Sequence, residues 1–122
     1  MSNPLAPTWL EAPADLNKIQ ESVWPRHTNR RATGEVEIAG VALADIANQF
    51  GTPIYVIDED DFRARATAAK NALEAAAKKI GSSAKIYYAS KAFLSTEIVG
   101  WIDELGLNID VSSGGELAAA LA

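Results

Sequence analysis

From residue 54 onward, short apolar runs alternate with stretches in which apolar residues recur at helical spacing. Buried strands are predicted at residues 54–57, 86–89 and 107–111. A helical pattern follows each strand, at residues 62–80, 96–105 and 113–121. Strands that alternate with helices in this way favour a parallel sheet with right-handed crossovers. The sequence therefore predicts the α/β class.

The length of the chain limits which parallel fold it can complete. A whole (β/α)8 barrel needs about 250 residues, whereas this chain has 122. An incomplete barrel and a small open sheet both fit that length. The last helical pattern reaches Ala122 without a glycine, a proline or a basic final turn, and this missing stop signal favours the incomplete barrel.

The residues before the alternation fall into two parts. Residues 1–34 have no sustained period and contain four prolines, so we predict an irregular N-terminal extension. Residues 35–53 are predicted to hold a short strand, ended by Gly40, and a helix with apolar positions from Leu43 to Phe50. We expect this second part to lead into the barrel units at residues 54–122.

Composition excludes several classes of function. A net charge of -5 and a pI near 4.8 argue against nucleic-acid binding, which needs clustered basic residues. The chain has no cysteine and one histidine, so no metal site is predicted. No apolar run suits a signal peptide or a membrane span, and a cytoplasmic location is expected.

Parallel α/β folds bind ligands at the carboxyl ends of their strands. Lys91 comes directly after the strand predicted at residues 86–89. A lysine aimed into a site can form a Schiff base, because partial desolvation favours its neutral form. The alternative is that Lys91 only extends from the edge of the core into solvent, and position alone leaves both interpretations open.

The other strand ends offer weaker signals. Asp110 lies on the polar side of its strand and would need a partner if that strand is enclosed, a role open to Lys91. Ser113 and Glu116 have the spacing of a helix capping box, although the glycines beside them would also suit an anion. The acids at residues 58–61 look like metal ligands, but favourable charge at a helix N-terminus explains them.

Three segments resemble the fold-type III pyridoxal-phosphate decarboxylases. Residues 87–93, YYASKAF, resemble the Y-A-x-K-A signature around the cofactor lysine. Residues 51–58, GTPIYVID, and residues 108–117, NIDVSSGGEL, resemble two segments that flank this signature in diaminopimelate decarboxylases. Ser90 and Phe93 are similar to an actinobacterial branch of that family.

This resemblance implies the first part of an alanine-racemase-type (β/α)8 barrel, preceded by a segment that belongs to a β domain. It also implies pyridoxal 5'-phosphate as cofactor, held by catalytic Lys91 as a Schiff base, with Asp110 as a supporting neighbour. The implied reaction converts meso-diaminopimelate to L-lysine and CO2 in a cytoplasmic homodimer, as a step of lysine biosynthesis.

Much of the implied site would lie beyond Ala122, including the groups for the cofactor phosphate, the pyridine nitrogen and the substrate. We therefore expect the chain by itself to be an inactive N-terminal fragment. Three alternatives are a non-catalytic carrier of pyridoxal phosphate, an ornithine- or arginine-type decarboxylase, and a small non-enzymatic α/β module in which Lys91 only reaches solvent.

Overall fold

The computed structural model of the chain describes residues 14–122. The described residues divide into two compact units, one that ends at Tyr55 and one that spans residues 56–122. Residues 1–13, which begin the extension predicted to be irregular, lie outside the described residues. Among the helices of the described part, none combines the length and the apolar character needed to cross a membrane.

The first unit is built on a three-stranded antiparallel sheet. Its strands β1 (Thr28–Arg30), β2 (Val36–Ile38) and β3 (Val41–Ala42) lie side by side in that order, and helix α1 (Leu43–Phe50) follows β3 directly. The turn from β2 to β3 has positive φ at two successive residues, 50° and 81°. A tight hairpin needs this conformation to match the twist of its strands.

The second unit is an α/β unit with two parallel strands. Its elements are α2 (Glu59–Lys79), β4 (Tyr87–Ala89), a 3₁₀ turn (Ser90–Ala92), α3 (Thr96–Glu104), β5 (Asn108–Asp110) and α4 (Gly114–Leu121). Strands β4 and β5 pair in parallel, with Ala89 opposite Asp110. Because the two strands run in the same direction, both end at the same edge of the sheet. The predicted α/β class is confirmed.

Helix α2 begins as the acidic cluster predicts. The Asp58 carboxylate accepts a hydrogen bond from the Asp61 N–H at 3.1 Å, and three acids occupy the first turn. Lys78 and Lys79 occupy the last turn. Opposite charges at the two ends match the helix dipole, so the acids at residues 58–61 serve helix formation.

The core of the second unit lies between α2, β4 and α3. Ile98 and Ile102 of α3 are each 1% exposed, as their helical spacing predicts. The Phe62 ring of α2 contacts the rings of Tyr88 and Trp101, with centroids 5.5 and 5.6 Å apart. Burying such apolar side chains supplies the main favourable free energy of packing and fixes β4 between the helices.

Two predictions about strands are wrong. Residues 54–57 form no strand, and none of the residues 14–122 pairs with them in a ladder. Ile54 and Ile57 stay 41% and 40% exposed. An apolar run indicates a tendency to be buried, but a strand exists only where a neighbour supplies ladder hydrogen bonds. Conversely, β1 lies in the extension predicted to be irregular, because its pairing with β2 defines it.

Candidate functional site

The candidate site lies at the edge where β4 and β5 end. The 3₁₀ turn Ser90–Ala92 follows β4 without a break, and residues 111–113 lead from β5 into α4. Neighbouring parallel strands place their following residues side by side. The structure thus brings together two of the three junctions that the sequence analysis singles out.

Lys91 is the middle residue of the 3₁₀ turn and is exposed. Among residues 14–122, nothing accepts a hydrogen bond from its amine or forms an ion pair with it. The side chain therefore projects from a short, structured turn and keeps its amine available. An accessible amine without a competing partner is what attachment to an aldehyde requires, so this residue fits a pyridoxal group.

Asp110 is the last residue of β5. In the parallel pair it lies opposite Ala89, the last residue of β4, and Lys91 follows Ala89 by two residues. Asp110 is exposed and forms no ion pair with Lys91. Since water solvates an exposed carboxylate, Asp110 does not need the partner that a buried one would. Within the described residues, no three side chains of metal-binding type come together here or elsewhere.

Tyr88 of β4 contacts the backbone just after the 3₁₀ turn, on the C-terminal side of Lys91. Its hydroxyl donates a hydrogen bond to the Phe93 carbonyl oxygen at 2.7 Å. Burial raises the pKa of the Tyr88 phenol, because the charged phenolate is poorly solvated against neighbouring side chains. The neutral, hydrogen-donating form is therefore the one that holds the backbone just after Ala92.

Glu116 of α4 contacts the first residue of the 3₁₀ turn, on the N-terminal side of Lys91. Its Oε2 atom accepts a hydrogen bond from the Ser90 hydroxyl at 2.8 Å and another from the Ser112 N–H at 2.5 Å. These donors, the Ser112 N–H above all, hold the pKa of Glu116 below its usual range. The carboxylate is thus ionised at neutral pH and makes charge-assisted hydrogen bonds.

Ser113 and Glu116 interact at the start of α4 as the predicted capping box requires, and Ser112 joins them. Ser113 Oγ accepts a hydrogen bond from the Glu116 N–H at 3.2 Å, as expected. The Glu116 carboxylate accepts its main backbone hydrogen bond from the Ser112 N–H, one residue before the position that a capping box uses, and the Ser113 N–H makes a smaller contribution. The Glu116 carboxylate occupies the N-terminus of α4, which a bound anion would otherwise need. The structure therefore favours helix capping over anion binding for residues 112–116.

The contact between Ser90 and Glu116, which are 26 residues apart, was not predicted from the sequence. A signal for it exists in the pattern of elements. Both residues follow strands that are neighbours in a parallel sheet, so their turns meet at one edge. A buried hydroxyl next to a helix-capping carboxylate is expected to donate a hydrogen bond to it, because buried polar groups need hydrogen-bond partners.

The part of the chain that contains the candidate site is similar to known proteins. A family described as "pyridoxal-dependent decarboxylase, pyridoxal binding domain" matches residues 60–122. The chain is 50% identical over 107 residues to the diaminopimelate decarboxylase of Mycobacterium leprae, covering 88% of this chain and 21% of that protein. It is 44% identical over 112 residues to that of Corynebacterium efficiens, covering 92% and 23%.

A solved structure of diaminopimelate decarboxylase from M. jannaschii matches with a TM-score of 0.64 and 27% identity, covering 80% of this chain and 22% of that one. A second structure of that enzyme, in complex with L-lysine, matches with a TM-score of 0.58. The chain spans about a fifth of the length of the curated relatives it matches. Tyr88, Ser90, Lys91, Asp110 and Glu116 all lie within the matched residues 60–122.

Proposed function

Because the chain belongs to the pyridoxal-dependent decarboxylases, matching their pyridoxal-binding domain over residues 60–122, we propose that Lys91 holds pyridoxal 5'-phosphate. The observation that carries this proposal is the position of Lys91 at the carboxyl end of β4, on a turn held from both sides, with an amine that is exposed and unpaired among the described residues. Parallel sheets carry their ligands at this end.

The reaction we propose is the decarboxylation of meso-diaminopimelate to L-lysine and CO2. Its support is that relatives up to 50% identical to this chain are diaminopimelate decarboxylases, and that their similarity includes the turn of Lys91. Bound pyridoxal phosphate supplies the electron sink that makes loss of CO2 from an amino acid feasible, while the protein supplies attachment, orientation and charge.

The contribution of this chain is to present the attachment point. The Tyr88 hydroxyl fixes the carbonyl group of Phe93, and the Glu116 carboxylate fixes the hydroxyl group of Ser90. Lys91 lies between these two points, so its backbone is held while its side chain can turn. Such an arrangement lets one amine stay attached to a group and also move aside for a substrate amine.

Asp110 is proposed as a supporting residue near Lys91. Its place at the end of β5, opposite Ala89, puts a carboxylate on the same edge as the amine. A negative charge at this edge would favour the cationic form of a nitrogen brought close to it. Asp110 has no other hydrogen bond or ion pair among residues 14–122 that would compete for this role.

We also propose the organisation of the protein. Residues 54–122 would form the first βα units of the cofactor-binding barrel, with residues 35–53 leading into it and residues 1–34 as an extension. The antiparallel sheet β1–β2–β3 suits a segment that belongs to a β domain. The proposed assembly is a homodimer that acts in the cytoplasm in lysine biosynthesis.

Borohydride trapping tests the attachment of the cofactor. The protein, as its gene encodes it, is loaded with pyridoxal phosphate, reduced, digested and mapped by mass spectrometry. We expect the pyridoxyl group on the peptide that contains Lys91, loss of the label in Lys91→Arg, and full labelling in the matched control Lys85→Arg, which changes an exposed lysine just before β4. Labelling at another lysine would contradict the proposal.

A further inference from the structure

The Glu116 carboxylate does more than cap α4. Helix capping requires contacts only with the local chain, and the bonds from Ser112 and to Ser113 fulfil that requirement. The bond from Ser90 is different in kind, because it reaches across 26 residues to the turn after β4. Glu116 therefore ties the start of α4 to the turn that carries Lys91.

Ser90 depends on this bond. The residue is only 3% exposed, and its hydroxyl donates to Glu116 Oε2 at 2.8 Å. A buried hydroxyl that loses its partner is destabilising, because it no longer has water to bond instead. The first residue of the 3₁₀ turn is thus held in place by the carboxylate, and Lys91 is the next residue along the chain.

The two ends of the turn are fastened by different elements. The end before Lys91 is tied to α4 through Ser90 and Glu116, and the end after it is tied back to β4 through Phe93 and Tyr88. A residue held on both sides keeps its Cα position while its side chain rotates. Placing a reacting amine reproducibly in this way reduces the entropy lost when it attaches to a group.

We propose that Glu116 is a positioning residue for Lys91, acting through the Ser90 hydroxyl to hold the turn in the geometry in which the amine attaches to the cofactor. The proposal rests on the proposed function, because it takes Lys91 as the attachment point. It assigns Glu116 no contact with cofactor or substrate.

The test measures how fast Lys91 captures pyridoxal phosphate. The protein as its gene encodes it is stripped of cofactor, mixed with pyridoxal phosphate and followed by absorbance, well below the melting temperature of every variant. We expect Ser90→Ala and Glu116→Ala each to slow capture about three- to tenfold, as loss of one stabilising hydrogen bond allows. Ser90→Ala leaves the cap of α4 intact, so it carries the test if Glu116→Ala does not fold.

Three further variants separate positioning from general stability. Glu116→Gln keeps an oxygen that accepts the same two hydrogen bonds, so it should recover part of the lost rate. The double variant Ser90→Ala/Glu116→Ala should be no slower than the slower single variant, because both remove the same bond. Glu97→Gln changes a glutamate in the first turn of α3 whose side-chain partners are Ser95 and Thr96, and it should capture at the wild-type rate.

The outcomes distinguish this inference from the function it rests on. Wild-type capture by Ser90→Ala, with the trapped label still at Lys91, would overturn the positioning role and leave the proposed function standing. Additive losses in the double variant, or an equal loss in Glu97→Gln, would also overturn it. A label that maps to another lysine in the unmodified protein would reject the proposed function itself.

Discussion

At the scale of single residues, two neighbouring residues of the site, Ser90 and Lys91, have different environments. Ser90 is buried and hydrogen-bonded, whereas Lys91, the next residue, is exposed and unpaired among residues 14–122. A 3₁₀ turn makes this possible, because its three residues per turn direct successive side chains to different sides. The chain can therefore anchor its backbone with one side chain and present the next one for chemistry.

The stability that Glu116 contributes should depend on pH. Its folded-state pKa lies below the usual glutamate value, first because of the Ser112 N–H and then because of the Ser90 hydroxyl. A lowered pKa contributes stability that is fully present above the unfolded pKa of about 4.3 and is lost as the pH falls through the folded value. We expect the difference in melting temperature between wild type and Glu116→Gln to be constant near neutral pH and to shrink in acid.

Thermal melts of the two proteins across this pH range measure that difference. The lowered pKa of Glu97 is present in both proteins and cancels. A difference that stays constant through the acid range, or that grows there, would contradict a stabilising role of the charged Glu116 carboxylate in its bonds from Ser112 and Ser90.

At the scale of elements, α3 determines where β5 begins. Ser95 caps its start by accepting a hydrogen bond from the Ile98 N–H at 3.3 Å. At its end, Gly106 adopts a φ of 62° and the Lys70 amine donates to the Leu105 carbonyl oxygen at 2.8 Å. A left-handed residue after the helix and a cation at its last carbonyls are both favourable ends for a helix.

Two glycines of this segment should respond oppositely to alanine. Gly106→Ala should destabilise the protein by about 1–2 kcal/mol, because its positive φ is strained for alanine and the new Cβ would lie 3.1 Å from the Lys70 amine. Gly100→Ala, inside α3 with open space around its Cβ position, should stabilise it by about 0.5–1 kcal/mol. Denaturant unfolding of both variants measures these changes, and equal effects would refute the role of backbone conformation.

The helices and the parallel pair β4–β5 could be predicted from sequence, whereas the pairing of the remaining strands could not. Caps such as Ser95 and Asp58, and stops such as Gly106, act within a few residues, so their signals are local. Pairing depends on residues far along the chain, which explains the false strand at residues 54–57 and the missed strand β1. The same reasoning applies to the site, where Lys91 has a local motif but the Ser90–Glu116 bond does not.

At the scale of the whole molecule, the candidate site belongs to the second unit alone. Residues 56–122 contain the parallel pair, the Lys91 turn and the start of α4. The first unit, with its antiparallel sheet, contributes no described residue to the contacts that hold this turn. Both the proposed attachment point, Lys91, and the residues proposed to position it therefore lie within residues 88–116.

A polypeptide of residues 1–122 should form no L-lysine from meso-diaminopimelate and pyridoxal phosphate. The turns at the strand ends, residues 90–95 and 111–113, contain no arginine to bind a phosphate or a carboxylate in two-pronged fashion. A chromatographic lysine assay measures the outcome, with the longer M. leprae diaminopimelate decarboxylase as the active control. Steady lysine production by residues 1–122 would contradict this expectation.

The bond between Ser90 and Glu116 also sets an order of events during synthesis. Ser90 leaves the ribosome 26 residues before its partner, a delay of about one to five seconds at ordinary elongation rates. During that interval the chain contains Ser90 but not yet the Glu116 carboxylate that its hydroxyl bonds. The bond between Ser90 and Glu116 can therefore form only after the start of α4 has been synthesised, and under the proposed positioning role Lys91 would become ready for an aldehyde later than it is made.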